Sequence, residues 1–303
     1  MKIATRSSKL AIAQVQLLID SLNDEGLDFE IMKLITEGDK KSADGQNLFD
    51  KAHFVEDIED SLISKESDVA VHSLKDMSSV DRDGLEIFAA IAHPFRNDVL
   101  VYRDGVSLSD LTKLHIGTSS LRRKRQCKFF LGNENCSEIR GNIDTRLMKL
   151  HKGEFDAIIL ARAGIERLQF NENYIDLNFL PAIGQGVIAI QCRSDDQETK
   201  NKLSKIRNEE LQQCIEIERY IVRRLDATCS SALSIKANLS NEWLNVDLEI
   251  YGKETFLSKS ISSEIGSQPE VLDKLIDEII SEGGLELLNE NNWYKAYWEF
   301  KSI

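Results

Sequence analysis

The sequence predicts two α/β domains followed by a smaller α+β domain. Short apolar runs alternate with helical patterns through roughly the first ninety residues, which is typical of βα units. The alternation restarts after the segment HPFRND at 93–98 and stops near position 209. A chain of 303 residues is also longer than a single hydrophobic core usually needs. We therefore predict domain 1 over 1–92 and 187–207, domain 2 over 97–183, and domain 3 over 209–303.

Domain 1 begins with a predicted strand over 2–5. The helix after it places Leu10, Ala13, Leu17 and Leu18 on one face, which we expect to be buried. The remaining elements of this domain are predicted from apolar runs and helical spacing: strands over 29–35, 68–72 and 85–91, and a helix over 54–63.

Domain 2 repeats the alternation, and PAIGQG at 181–186 is predicted to be the turn that leads a strand back into domain 1. In domain 3 the helix comes first and the strands follow it. The predicted elements are strands over 98–102, 115–117, 138–140 and 156–161 with helices over 119–130 and 142–151 in domain 2, and a helix over 211–225, strands over 232–238 and 243–251 and a helix over 269–282 in domain 3.

The net charge of −13 argues against general nucleic-acid binding. The charge is unevenly distributed, since residues 97–185 contain 13 Lys and Arg against 11 Asp and Glu. An acidic protein with an arginine-rich middle segment fits a focused site for an anionic small molecule. We expect a small-molecule substrate and no nucleic-acid partner.

Three features of the sequence predict the cellular compartment of the protein. No run of about 18 apolar residues predicts a membrane-spanning helix, and the amino terminus does not resemble a secretory signal. The cysteine count of five is odd, and no CxxC pair occurs. That pattern favours a reducing compartment and argues against both a disulfide framework and a structural zinc site. We expect a cytoplasmic monomer with no metal ion and no membrane partner.

Two turns in domain 2 carry hydroxyl groups and arginines where a strand passes into a helix. At such a turn free N–H groups and the helix dipole favour an anion, and an arginine binds a carboxylate through two parallel hydrogen bonds. Either turn alone is explained equally well as a capped helix with a solvated basic face. The first turn, GTSSLRRKRQ, holds Thr118, Ser119, Ser120, Arg122 and Arg123, and the second, RGNIDTRLMKL, holds Arg140, Arg146 and the predicted N-cap Asn142.

The segment ATRSS in domain 1 adds Arg6 and Ser8 at the end of another strand. In doubly wound sheets ligands bind at the carboxyl ends of the strands, so the three segments are predicted to converge on one cleft. Arg167 is a further candidate ligand, because it follows a buried strand and a small-residue turn at Ala163 and Gly164.

VHSLKDM places Lys75 and Asp76 directly after a buried strand. A carboxylate beside cations stays ionised and can accept N–H groups or stabilise a developing positive charge. A strand-end salt bridge is the plainer alternative. His72 is predicted to be a partly buried structural histidine.

Cys229 lies in RRLDATCSSALSI, after a helix end and far from any second cysteine at metal or redox spacing. A lone thiol in a loop beside an arginine-rich site suggests a covalent attachment point. A small buried side chain is the alternative, as for most free cysteines.

Together these segments resemble the hydroxymethylbilane synthases, also called porphobilinogen deaminases, over roughly residues 2–235. The resemblance implies two periplasmic-binding-protein-like (type II) α/β domains and an α+β domain that carries the attachment cysteine. It implies a transferase of tetrapyrrole and haem biosynthesis. Such an enzyme condenses four porphobilinogen molecules head to tail on a bound dipyrromethane and releases hydroxymethylbilane with water.

The resemblance also implies a role for each matched residue. Asp76 would be the catalytic carboxylate, which holds pyrrole N–H groups and stabilises the cation formed as ammonia leaves. Cys229 would carry the dipyrromethane through a thioether. Binding of the carboxylate side chains of cofactor and substrate is implied for Arg6, Ser8, Gln14, Ser73, Lys75, Thr118, Ser119, Ser120, Arg122, Arg123, Arg140, Gly141, Asn142, Arg146 and Arg167.

The chain departs from the family pattern at several loops. Met77 and Ser78 replace the usual proline segment after the Lys–Asp pair, and Ala227 and Thr228 replace a glycine pair before the cysteine. Arg162 stands where a small or apolar residue is usual, and Lys51 is the sole counterpart of a lysine-rich loop. Two other interpretations stay open: a non-catalytic anion-binding module on the same scaffold, and a diverged relative that no longer loads the cofactor.

Overall fold

The computed structural model describes residues 1–22, 26–35, 55–228, 230–264, 266 and 268–291. Over these residues the chain forms two five-stranded mixed sheets and one three-stranded antiparallel sheet. The predicted fold class, two α/β units and a smaller α+β unit, is confirmed. The limits of the three domains stay a prediction.

The first sheet has the strand order β2-β1-β3-β10-β4. Strand β1 runs parallel to β2 and β3, whereas β10 pairs antiparallel with β3 and β4. β10 therefore returns from the second sheet and inserts into the first, as the turn at PAIGQG predicts. Its apolar run is almost continuous because a central strand is covered on both faces. The strands are β1 Lys2–Arg6, β2 Glu30–Leu34, β3 Val69–Ser73, β4 Leu85–Ala92 and β10 Val187–Arg193, with helices α1 Lys9–Leu22, α2 Glu56–Ile63 and α6 Gln197–Leu203.

The second sheet repeats the arrangement with the order β7-β6-β8-β5-β9. Strand β6 runs parallel to β7 and β8, and β5 is antiparallel to β8 and β9. The strands are β5 Asp98–Tyr102, β6 Ile116–Gly117, β7 Cys136–Ser137, β8 Ala157–Ala161 and β9 Tyr174–Leu177, with helices α3 Leu121–Gln126, α4 Ile143–His151 and α5 Arg162–Arg167.

The third sheet is a meander in which buried and exposed side chains alternate, as expected for a sheet with one face toward solvent. Helix α7 packs against β11, and α8 packs against β13 and covers the buried face. The elements are α7 Glu209–Arg224, β11 Leu233–Ser240, β12 Trp243–Tyr251, β13 Phe256–Glu264, α8 Gln268–Ser281 and α9 Gly284–Asn289.

Three local predictions are wrong. The strand predicted over 138–140 lies two residues earlier, because Ile139 is the only buried residue of that stretch and β6 pairs with Cys136–Ser137. The helix predicted over 119–130 changes at Cys127 into a π-helical turn that ends at Gly132, whose φ is +64°. Helix α1 buries Gln14 and Val15, whereas Leu17 is exposed. Elements that the sequence did not indicate are β9, β13, α5, α6 and α9.

Across the described ranges no helix is both long enough and apolar enough to cross a membrane.

Candidate active site between the two sheets

The first two α/β units meet where their parallel strands end. Helix α1, which follows β1, contacts α5, which follows β8. The Nζ atom of Lys9 lies 3.7 Å from Asp144 Oδ2 at the start of α4. The carboxyl ends of strands from both sheets thus face one another, and the candidate residues of the two units lie around this junction.

Asp76 ends a short 3₁₀ turn, Leu74–Asp76, directly after β3. The buried side chains of Leu74 and Met77 hold the two ends of the turn, and Lys75 and Asp76 lie partly exposed between them. The charge of Asp76 reaches two neighbours. It raises the pKa of His72 in its own unit and the pKa of Arg146 in the other unit, although burial lowers both more strongly. The carboxylate therefore lies within electrostatic range of residues in both units.

His72 itself is structural, as predicted. It is 5% exposed, and its Nε2 lies 3.1 Å from Gln191 Oε1. Burial first, and then the charge of Arg6, lower the pKa of His72 to about 4. The imidazole is consequently neutral near pH 7, and Arg6 lies close enough to affect it.

The other predicted residues of the first unit are engaged with each other. Gln14 is buried, and its Nε2 donates a 2.9 Å hydrogen bond to Ser73 Oγ, directly before the turn that carries Asp76. Ser8 Oγ accepts a 3.3 Å hydrogen bond from the Ala11 N–H at the start of α1. Gln14 therefore joins α1 to the end of β3.

In the GTSS turn the hydroxyl groups shape the backbone. Thr118 Oγ1 accepts the Ser120 N–H at 3.2 Å, and Ser120 Oγ accepts the Arg123 N–H at 3.4 Å. Ser119 Oγ donates to the Ile139 carbonyl oxygen. Ser120 is the N-cap of α3, so the predicted capping is confirmed at this position.

Arg122 and Arg123 point into the protein and meet Asp98, which is fully buried at the start of β5. Nη2 of Arg122 lies 2.8 Å from Asp98 Oδ2, and Nη2 of Arg123 lies 2.7 Å from Oδ1. Burial raises the pKa of Asp98, but the two guanidinium groups outweigh it and hold that pKa well below its usual range. The structure thus gives both arginines an internal counter-ion, and their predicted convergence on one cleft with the other segments stays a prediction.

Arg146, on α4, has no such counter-ion at hydrogen-bond distance among the described contacts. Its Nε donates a 2.7 Å hydrogen bond to the carbonyl oxygen of Gly141. Burial first and the charge of Arg123 second lower the pKa of Arg146 to about 10. Gly141 has a φ of +108°, and a Cβ atom there would come within 2.8 Å of Thr145, so the turn requires glycine.

The remaining residues of this turn differ from one another. Arg140 pairs with Glu138, with Nη2 2.8 Å from Oε1. Asn142 precedes the first residue of α4, as predicted for an N-cap, but its side chain makes no capping hydrogen bond. The Thr145 N–H is accepted by Asp144 Oδ1 at 2.9 Å instead.

Arg167, at the end of α5, is bound by a backbone carbonyl oxygen and by no carboxylate among the described residues. Nη2 donates a 2.7 Å hydrogen bond to the Gly186 carbonyl oxygen, and Nε is buried without a hydrogen-bond partner. Burial lowers the pKa of Arg167 to about 10. Arg167 is partly exposed and its charge is partly desolvated, so this side chain can bind an anion.

Sequence reasoning missed the polar residues that fix the chain crossings between the units. Gln185 is buried and donates through Nε2 to Asp98 Oδ1 and to the Arg96 carbonyl oxygen, at 2.9 and 2.8 Å. Glu218 of α7 binds both terminal nitrogens of Arg96, at 2.7 and 2.9 Å, and accepts the Gly184 N–H. The sequence holds one signal for this network, which is Asp98 itself. A charged residue at the start of the otherwise apolar strand DVLVY indicates a buried polar contact.

Cys229 and Lys51 lie outside the described residues. The other cysteines are free thiols, with Cys127, Cys192 and Cys214 buried and Cys136 partly buried. Within the part of the chain that the structure describes, no group of three or more His, Cys, Asp or Glu side chains is placed to hold a metal ion.

These features define a class: a protein of two α/β units joined by crossing segments, with arginines and carboxylates near the junction, and a third unit packed on the crossings. Comparison with known proteins gives the family. Residues 1–201 match the family model described as porphobilinogen deaminase, dipyromethane cofactor binding domain. The chain belongs to the porphobilinogen deaminase family, which confirms the predicted enzyme class, a transferase that works with a dipyrromethane cofactor.

Curated relatives match almost the whole chain. A porphobilinogen deaminase of Staphylococcus epidermidis is 36% identical over 306 residues, which cover 95% of this chain and 98% of the relative. One of Staphylococcus aureus is 36% identical over 308 residues, covering 96% and 98%. Among solved structures, the periplasmic VFT2 domain of Bordetella pertussis BvgS is similar with a TM-score of 0.41 and 15% identity, covering 72% of this chain and 89% of that domain.

Proposed function

We propose that this protein is a hydroxymethylbilane synthase, which condenses four porphobilinogen molecules in turn and releases the linear product with water. The observation that carries the proposal is that one carboxylate, Asp76, lies within electrostatic range of Arg146 across the junction, where α1 also contacts the helix that carries Arg167. Family membership supports the same activity.

The residues present fit a dipyrromethane. Each pyrrole ring of such a group carries two carboxylates, and Arg146 and Arg167 offer cations that hydrogen-bond to backbone carbonyl oxygens and to no carboxylate of the described residues. Arg6 and Lys75 add charge on the opposite side of the junction. When bound, the dipyrromethane supplies the nucleophilic pyrrole carbon at which the chain starts. Cys229 is the proposed attachment residue.

Asp76 is the proposed catalytic carboxylate. As the C–N bond of the substrate's aminomethyl group breaks, ammonia leaves and positive charge spreads over the pyrrole ring. A carboxylate that accepts the pyrrole N–H stabilises this charge more than it stabilises the neutral ring, which lowers the barrier. The nucleophilic pyrrole carbon of the bound chain then forms the new C–C bond to the substrate's methylene carbon and loses its proton.

In this proposal Arg122 and Arg123 support the site and do not bind substrate themselves. Their ion pairs with Asp98 fix the GTSS turn and leave Arg123 close enough to influence Arg146. They support the arginines that meet substrate, and Arg140, Ser119, Thr118 and Asn142 complete the wall of the site. The finer expectations of a cytoplasmic monomer without a nucleic-acid partner also remain proposals, the last supported by the net charge of −13.

Arg167→Gln should raise the KM for porphobilinogen by about tenfold to 100-fold, the loss expected for a charged hydrogen bond of 1.5–3 kcal/mol. The fold should survive, because Arg167 is partly exposed and the neutral side chain removes a partly desolvated charge. Steady-state kinetics check the result. Arg103→Gln is the matched control, since Arg103 also has a buried Nε without a partner but pairs with Asp156 away from the junction. Equal KM values in wild type and Arg167→Gln would remove Arg167 from the binding site.

The experiment that tests the function is intact-protein and peptide mass spectrometry of protein made in a haem-producing host, followed by an assay with porphobilinogen. We expect an added mass of two linked pyrrole units on the peptide that contains Cys229 and none on the peptide that contains Cys214. Cys229→Ser should abolish the added mass. Folded protein that carries no added mass and consumes no porphobilinogen would refute the proposal and favour a non-catalytic anion-binding module.

A further inference from the structure

Helix α7 of the third unit lies against the turn that carries Asp76. Ile215 of α7 belongs to the same buried cluster as Leu74 and Met77, the residues on either side of the Lys75–Asp76 pair. Past Met77 the chain has few apolar anchors, since Ser78 and Val80 are exposed. Apolar packing therefore fixes the turn only as far as Met77, and the following segment needs other contacts.

Arg219 of α7 provides them. Its side chain is 1% exposed, and its two terminal nitrogens lie 3.0 and 2.7 Å from the two carboxylate oxygens of Asp81. The same guanidinium donates a 3.1 Å hydrogen bond to the Ser78 carbonyl oxygen. One helical turn further, Arg223 donates to the Ser79 carbonyl oxygen at 2.6 Å. Two arginines of one helix thus hold the backbone directly after the carboxylate.

We propose that Arg219, through its forked ion pair with Asp81, is a positioning residue for Asp76. A guanidinium that binds both oxygens of a carboxylate and a backbone carbonyl fixes direction as well as distance. The segment from Met77 to Asp81 is then fastened at both ends to α7, and the 3₁₀ turn before it cannot rotate freely. This inference rests on the proposed function, since it assigns a role relative to the catalytic carboxylate.

The position of α7 in the chain links the ion pair between Arg219 and Asp81 to the proposed reaction. The helix ends at Arg224, and Cys229 follows five residues later. The same helix that holds the Asp76 turn therefore leads directly into the proposed attachment residue. Arg219 sets the position of the carboxylate, and displacements of about 1 Å of a catalytic group cost up to about 100-fold in rate.

The test compares wild type with Asp81→Asn, Arg219→Gln and the double variant. Asp81→Asn keeps one oxygen acceptor and leaves the carboxylate site partly solvated, because Asp81 is 32% exposed. Asp156→Asn is the matched control, since Asp156 is also 32% exposed and pairs with Arg103 at 3.0 Å in the second unit. The measurements are kcat and KM for porphobilinogen, cofactor loading by intact mass, and hydrogen exchange of the amides of 77–81.

We expect Asp81→Asn to lower kcat about tenfold or more with KM and cofactor loading near wild type, and to speed exchange only in 77–81. The double variant should be no worse than the more affected single variant, because the two residues act as a pair. Asp156→Asn should keep wild-type kcat. Unchanged kcat in Asp81→Asn, or an equal loss in Asp156→Asn, would overturn the proposal. Inactive wild-type protein would instead refute the proposed function.

Discussion

Asp98→Asn should lower the free energy of unfolding by about 3–5 kcal/mol, the cost of removing one partner from a buried ion pair. Asp98 is fully buried, and it neutralises both Arg122 and Arg123. An asparagine would present N–H donors to guanidinium groups that have only donors themselves. Urea unfolding at pH 7 measures the loss. Asp156→Asn is the control, because that partly exposed pair should contribute less than about 1 kcal/mol.

The same substitution predicts a pH dependence. The pKa of Asp98 is lowered in the folded protein, so its stabilisation is fully present above the unfolded value of about 3.9 and is lost as the pH falls through the folded value. The difference in stability between wild type and Asp98→Asn should therefore narrow below pH 4, by about 1.4 kcal/mol per pH unit. A difference that stays constant from pH 7 to pH 3 would show that Asp98 is not the ionised partner of the two arginines.

Much of the fold could be predicted because burial leaves a direct trace in the sequence. Strand β5 and the returning strand β10 are apolar runs between clear turns, and α4 has apolar side chains at helical spacing. The sequence patterns of strands β9 and β13 are weaker. YIDL at β9 is short and contains an acid, and most positions of β13 alternate with serine because one face meets solvent. Helix α5 was taken for a turn because its six residues include Gly164.

The candidate site shows a different limit. By sequence, Arg123 and Arg146 look alike, since each lies in the first turns of a helix after a strand. Their surroundings differ because Asp98, which is distant in the chain, meets one and not the other. The local sequence pattern therefore predicted which turns lie near the junction. It could not predict which of their arginines pair with a buried carboxylate. Gln14 is an opposite case, because this polar side chain occupies a buried position of helix α1, where it binds Ser73.

Asp76→Asn should lower kcat for porphobilinogen consumption by at least about 100-fold to 1000-fold, the loss seen when one group that stabilises transition-state charge is removed. The asparagine is neutral, so it cannot stabilise the positive charge that spreads over the pyrrole ring as ammonia leaves. The fold should remain intact, because Asp76 is partly exposed and the turn is anchored by Leu74 and Met77. Single-turnover and steady-state kinetics measure the effect.

Asp83→Asn is the matched control for this experiment, because Asp83 is an exposed acid seven positions further along the same segment, and its loss changes the net charge equally. Near-wild-type turnover in Asp83→Asn with lost turnover in Asp76→Asn assigns the effect to position and not to charge. Cofactor loading, read by intact mass, separates two stages at which the carboxylate can act. A loaded but inactive Asp76→Asn variant places Asp76 in the condensation of each porphobilinogen, an unloaded one places it already in assembly of the dipyrromethane, and normal turnover removes Asp76 from the mechanism.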